Sequence, residues 1–178
     1  MSRTDPLDAL GLSLRRGAAE LHVVRHADAV PESDDAIAAL AGVEVHEDAG
    51  MREIAIGAVE PATPMTMRAR LEWLAMVAMR DGSWTGIPGT EPSETVRARM
   101  LGALDAVAAR HAGRRVVVVS HAGSINAALG AIMETAHDFV FPLANASVSV
   151  IRIGGGRRLL MSANETAHLI AVPSRARR

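Results

Sequence analysis

Two segments of this chain carry a short apolar run straight into a histidine: Leu-His-Val-Val-Arg-His at 21–26 and Val-Val-Val-Val-Ser-His at 116–121. Runs of this length, rich in β-branched residues, are strand material. In open α/β sheets ligands collect at the carboxyl ends of strands. Two such strands lying together would therefore deliver His26 and His121 to one crevice. Behind the second histidine, Ala122-Gly123 opens an apolar helical stretch. A helix N-terminus offers unpaired N–H groups and a dipole that favours an anion, and small residues let the backbone approach it closely.

The remaining pattern supplies the frame. Leu21 to Val24 reads as a buried strand, Ala36 to Leu40 as helix stopped by Gly42, and Val43 with Val45 as a weak alternating strand. Thr63 is a plausible N-cap for a helix with Pro64 in its first turn and Met67, Leu71, Leu74 and Val77 or Ala78 at helical spacing. Asp81 to Pro92 is a Gly- and Pro-rich loop. A second helix places Val96, Met100, Leu104, Val107 and His111 along one face and stops at Gly113. Val116 to Val119 has the composition of a central strand buried on both faces. The helix after His121 reaches to about Thr135. Ser147 to Ile153 alternates as a strand, Gly154 to Gly156 turn the chain, and Leu159 to Ser162 return. Strands separated by helices predict an α/β fold, a three-layer α/β/α sandwich on a mostly parallel central sheet. No composition break divides residues 1–178, so a single domain is expected, with 1–20 as an N-terminal extension and 171–178 as a basic tail carrying Arg175, Arg177 and Arg178.

Composition removes several classes of function. With 19 Lys+Arg against 20 Asp+Glu, the net charge of −1 creates no field for nucleic acid or an anionic membrane. Two Phe, two Trp and no Tyr leave little to stack on bases. The absence of cysteine excludes disulfides, thiolate metal sites and cysteine nucleophiles. His22, His46, His111, His137 and His168 form no His-x-x-x-His pair, so no metal or other cofactor is expected. Residues 1–20 lack the apolar core of a signal peptide and no run approaches a membrane span, so the expected location is cytoplasmic. A homodimer stays open.

The residue types imply a chemistry. An imidazole can attack phosphorus and carry the phosphoryl group covalently. Arg25, always cationic, offers a fork that matches phosphate oxygens. A second imidazole, protonated in anionic surroundings, would stabilise charge on the equatorial oxygens of the transition state. A carboxylic acid is then needed to protonate the leaving oxygen and later to activate water. A purely structural α/β domain is the competing reading, and it requires His26 and His121 to lie far apart.

Several segments, in order, resemble the histidine phosphatase superfamily (phosphoglycerate-mutase-like, branch 1). VVRHADA is similar to its Arg-His-Gly signature, with Ala27 replacing the glycine. MREIAIG at 51–57 resembles its Leu-Arg-Glu-Ile segment, which implies Glu53 as the general acid/base. GTEPSETVRAR at 89–99 puts Glu91, Val96 and Arg99 in register with a segment that opens a long helix. VVVVSHAGS resembles the Val-Ser-His-Gly-Gly signature, implying His121 as the second phosphate-binding histidine, with Ala122 at its backbone. SANETAHL resembles the closing Asn-Asp-Thr-x-His-Leu, where His168 reads as a structural hydrogen-bonding residue. Together the matches run from about Leu21 to Leu169.

The chain also departs from that pattern. Between His26 and Met51 the family carries a helix, a strand and a Ser-Pro-x-x-Arg-Ala turn whose arginine is a second phosphate clamp. None of these is present. Either the unit was lost or a segment is missing from the sequence; the second is favoured, because losing a strand would leave its neighbours without partners. Arg52, Arg68 and Arg70 are the candidate substitutes for the missing clamp. Trp84 suggests lid or core packing. The methionines at 65, 67, 76 and 79 suggest adaptable packing or the wall of an apolar pocket, while Ser124 and Asn126 suggest support for the site. The resemblance implies a phosphatase acting on a small phosphomonoester through phospho-His26, with Arg25, His121 and Glu53 completing the site. The alternatives are an impaired member that binds a phosphorylated ligand or partner, and a mutase-type phosphotransferase.

Overall fold

The computed structural model describes residues 6–26, 44–57 and 64–170. The expected helix at Ala36 to Leu40, the Thr63 cap, Ala27 and the basic tail lie outside them. Four strands form one sheet: β1 (Ala19–Arg25), β2 (Arg115–Ser120), β3 (Val148–Gly154) and β4 (Arg157–Glu165), in the order β2-β1-β3-β4. The helices are α1 (Pro6–Ala9), α2 (Pro64–Asp81), α3 (Ser93–Arg110), α4 (Ala122–Ile132) and α5 (Ala167–Ile170).

The α/β class holds, but the sheet is mixed rather than mostly parallel. Only β1 and β2 run parallel; β1–β3 and β3–β4 are antiparallel. The connections account for this. A parallel pair needs a long crossover, and α3 lies on the path from β1 to β2. β3 and β4 are joined by Gly155 and Gly156, with φ of 54° and 71°. Successive positive φ values suit a tight hairpin turn, which forces an antiparallel return.

The valine run is corrected too. In β2, Val118 is buried, but Val117 is 68% exposed and Val119 60% exposed. β2 is an edge strand of the described sheet, so a run composed for two-sided burial keeps one face in water. The weak strand at Val43 and Val45 does not form among the described residues: 44–48 is irregular and Val45 is exposed. His111 follows α3 as its C-terminal cap residue instead of lying within it, and α4 ends at Ile132, short of Thr135.

The core lies between one face of the sheet and the pair α3 and α4, which pack on each other and both reach β1. Leu21, Val23 and Ile151 point into it from the sheet. Val96, Met100 and Leu104, four residues apart on α3, meet them. Burying a side chain of this size contributes roughly 1.5–3 kcal/mol. Every residue of α4 from Gly123 to Gly130 is buried, so its small residues serve close packing on all sides. The structured region also begins before residue 20. Leu12, Ala18 and Ala19 are buried and β1 starts at Ala19.

At the far end of β1 from the histidines, Glu20 accepts hydrogen bonds from Arg152 on β3 and Arg115 on β2, at 2.7 and 2.8 Å, and contacts His22. Burial alone would raise its pKa, yet the bonds from Arg152, Arg115 and His22 outweigh that and bring it from 4.5 down to about 2. A depressed carboxyl contributes stability that is complete above 4.5 and lost as pH falls towards 2. Glu20→Gln should therefore cost about 2 kcal/mol near neutrality, discounted for the exposed Arg115. Denaturant titrations should show the gap between variant and parent closing as the solution is acidified through that window.

Candidate active site

The parallel register decides the site. β1 pairs with β2 from Glu20↔Arg115 through Arg25↔Ser120. The next residue of each strand, His26 and His121, thus emerges side by side. The His26 amide donates to the Ser120 carbonyl at 2.9 Å, holding the strand ends together. The two imidazoles meet edge to face, with centroids 4.5 Å apart and planes at 62°. The wide separation that the purely structural reading required is not found.

Glu53 completes the group by an unexpected route. It follows a short 3-10 turn, Ala49–Met51, capped by Asp48. Its carboxylate sits on the N-terminus of α4, accepting from the Gly123 amide at 3.2 Å and the Ser124 amide at 2.9 Å. The Ile54 amide adds a third bond at 2.9 Å. A side chain at 123 would place its Cβ 2.8 Å from Glu53 Oε1, so only glycine admits this approach. The helix terminus expected to receive phosphate is thus partly taken by a carboxylate of the chain. Glu53 takes the amides of Gly123 and Ser124 and not that of Ala122.

A second charged set holds that carboxylate in place. Glu91 accepts from Arg99 Nε at 2.8 Å and Arg52 Nη2 at 3.0 Å. Arg99 also donates to the carbonyls of Gly50, Arg52 and Glu53. The Arg99 hydrogen bond is the main reason the Glu91 carboxyl is held below its ordinary value, against the opposing effect of burial. Ser124 donates to the Arg52 carbonyl at 2.6 Å, tying α4 to the same segment.

Arg25 is anchored from the loop before β3. Its Nη1 donates to the Leu143 carbonyl, while its Nε is buried without a hydrogen-bond partner among the described residues. That loop is clamped by Asn126, fully buried in α4, whose Oδ1 accepts from Val140 and Phe141 and whose Nδ2 donates to the Phe141 carbonyl. Asn164 accepts from the Ala144 amide at 2.8 Å. The shared role of Asn126 and Asn164 was not readable from sequence, because loop and clamps are distant in the chain. His168 bonds the Ala146 carbonyl at 2.9 Å, the structural part expected of it.

Arg25, His26, Glu53 and Ala122 all line one cavity of about 450 Å3. His121 is not on that lining; its ring meets the cavity through its contact with His26. Trp84, buried against the core, donates from Nε1 to the Glu91 carbonyl and turns a face to the cavity. None of the three candidate replacement arginines reaches it. Arg52 is on Glu91, Arg68 pairs with Glu72 at 2.9 Å, and Arg70 donates to the Ile56 carbonyl. Among the described residues Arg25 is the single arginine of the cavity. No cluster of three potential metal ligands occurs among them, and no described helix is long and apolar enough to cross a membrane.

The family model of the histidine phosphatase superfamily (branch 1) matches residues 32–166. The chain belongs to that superfamily. The matched span begins after His26, so the Arg25–His26 pair is located by the geometry above. The fold is similar to that of YhfR from Bacillus stearothermophilus, at a TM-score of 0.64 and 19% identity over 85% of this chain and 99% of that one. It is also similar to a mutant phosphoserine phosphatase from Entamoeba histolytica in complex with phosphoserine, at a TM-score of 0.58 and 17% identity over 85% and 99% of the two chains. A search of the curated proteins finds no match.

Burial lowers the His121 pKa below 6.5; Glu53 opposes this and His26 adds to it. A depressed folded value means that stability from this group is complete above 6.5 and lost as pH falls through the lowered value. The thermal midpoint of the parent should exceed that of His121→Gln most above neutral pH, with the difference shrinking on acidification. Arg99→Ala, which strips a buried carboxylate of its main partner, should lower unfolding free energy by about 3 kcal/mol in denaturant titrations.

Proposed function

We propose that this superfamily member is a phosphatase that hydrolyses a phosphomonoester through a phosphohistidine on His26. One observation carries the reading: His26 and His121 stand ring to ring at the carboxyl ends of two parallel strands, and His26 shares a cavity lining with Arg25 and Glu53. The likeness to a phosphoserine phosphatase supports it. In the first step an imidazole nitrogen of His26 attacks phosphorus, and the N–P bond forms as the ester P–O bond breaks. Glu53 gives a proton to the departing oxygen. In the second step the oxygen of water attacks phosphorus, Glu53 takes its proton, and N–P cleavage returns His26 with inorganic phosphate. Arg25 and the Ala122 amide hold phosphoryl oxygens, and His121 stabilises the charge that builds on them.

Among the described residues no second arginine joins Arg25 on the cavity lining, since Arg52, Arg68 and Arg70 are engaged elsewhere. That observation favours a second reading, a member that binds a phosphorylated ligand without turning it over. The two separate cleanly. Purified protein should release phosphate from p-nitrophenyl phosphate, and His26→Ala should lower the rate by at least about a thousandfold. Rapid acid-free quenching with a labelled donor should leave an acid-labile label on His26. Turnover that survives His26→Ala would sink the mechanism, and binding of phosphate esters without turnover would establish the second reading.

A further inference from the structure

Among the described lining residues of the cavity around His26, the charged and polar groups gather at one end, Glu72 apart. Its phosphate end holds Arg25, His26, Glu53 and the start of α4. The wall facing them is built by one stripe of α2: Leu71, Leu74, Ala75, Ala78 and Met79. Ile54, Trp84, Phe139 and Leu143 are also on the described lining. Leu71 and Met79 line the cavity yet stay 41% and 56% exposed, so apolar surface stands in water at its mouth. The volume of about 450 Å3 lies within the range of small-molecule sites. Away from the phosphate end, the one ionisable side chain on the described lining is the Glu72 carboxylate.

We infer that the substrate is a monophosphate whose organic group is a hydrocarbon, aliphatic or aromatic, seated against the α2 stripe. The inference rests on the phosphatase reading for the phosphate end and on the wall alone for the organic group. Three features select this class. Hydroxyl-rich groups such as sugars find almost no side-chain partner on that wall and would give up hydrogen bonds to water. A second phosphate or a carboxylate on the substrate would meet the Glu72 carboxylate, already paired with Arg68, and the described lining holds no arginine besides Arg25 to receive it. A hydrocarbon instead removes the exposed faces of Leu71 and Met79 from water together with its own.

The test uses two series. In the first, kcat/KM is measured for ethyl, butyl, hexyl and octyl phosphate, with phosphoserine and glycerol 3-phosphate as polar references. In the second, the matching alkylphosphonates, which cannot be hydrolysed at the P–C bond, are titrated by calorimetry. Both kcat/KM and phosphonate affinity should rise by roughly threefold to fourfold per methylene until the cavity is filled. Leu71→Asp and Met79→Glu, both at exposed positions, should flatten the dependence while far-ultraviolet circular dichroism stays that of the parent. Phosphonate affinity that ignores chain length would overturn the inference, and so would a preference for the polar references; neither outcome touches the role of His26. A chain-length dependence of binding with no turnover of any ester would uphold the hydrocarbon site and remove the phosphatase reading.

Discussion

The parallel pairing of β1 with β2 is the constraint on which the rest of the molecule depends. Its register sets Arg25 opposite Ser120, and so brings two imidazoles out of the sheet at the same level. A slip of one residue would send one ring to the opposite face, because strand side chains alternate. β1 is fixed from both sides, by β2 and by antiparallel β3, and its inner face is sealed by α3 and α4. The nucleophile candidate therefore rests on one of the most constrained strands of the described sheet. β2, by contrast, is held on one side only in the described sheet and leaves Val117 and Val119 in water.

Around that pair the chain has arranged its charges in two tiers. Glu53 meets the positive end of α4, and its main-chain surroundings are fastened by Arg99, itself anchored on Glu91. A buried ion pair of this kind is weak as a source of stability, since desolvation offsets much of the attraction. Its effect lies in position: carbonyls at 50, 52 and 53 converge on one guanidinium, and the carboxylate beyond them is left with one place to stand. The same economy explains the single cavity arginine. The other basic residues nearby hold loops, carbonyls and carboxylates.

The elements of the candidate site were legible because each depends on local signals. An apolar run that ends in a histidine, a helix opened by small residues and an ordered series of short motifs pointed to His26, His121 and Glu53 without coordinates. The valines at 116–119 misled for an instructive reason: composition reports what a strand could bury, whereas the neighbours present decide what it does bury. The mixed sheet was missed similarly. The alternation at 147–153 and 159–162 identifies strands and a turn but not the direction in which the hairpin lies against β1. Arg52, Arg68 and Arg70 were equivalent in sequence, and each was claimed by a partner distant or on its own helix.

The sequence by itself determined the α/β class, the two histidines at strand ends and the resemblance that named a carboxylate. Local periodicity and residue chemistry suffice for those. Tertiary structure alone decided that the imidazoles touch, that Glu53 occupies the helix terminus once expected for phosphate, and that α2 lays an apolar stripe opposite them. Each of these depends on segments separated by dozens of residues meeting in one register, and periodicity within a segment carries no information about which surface it will face.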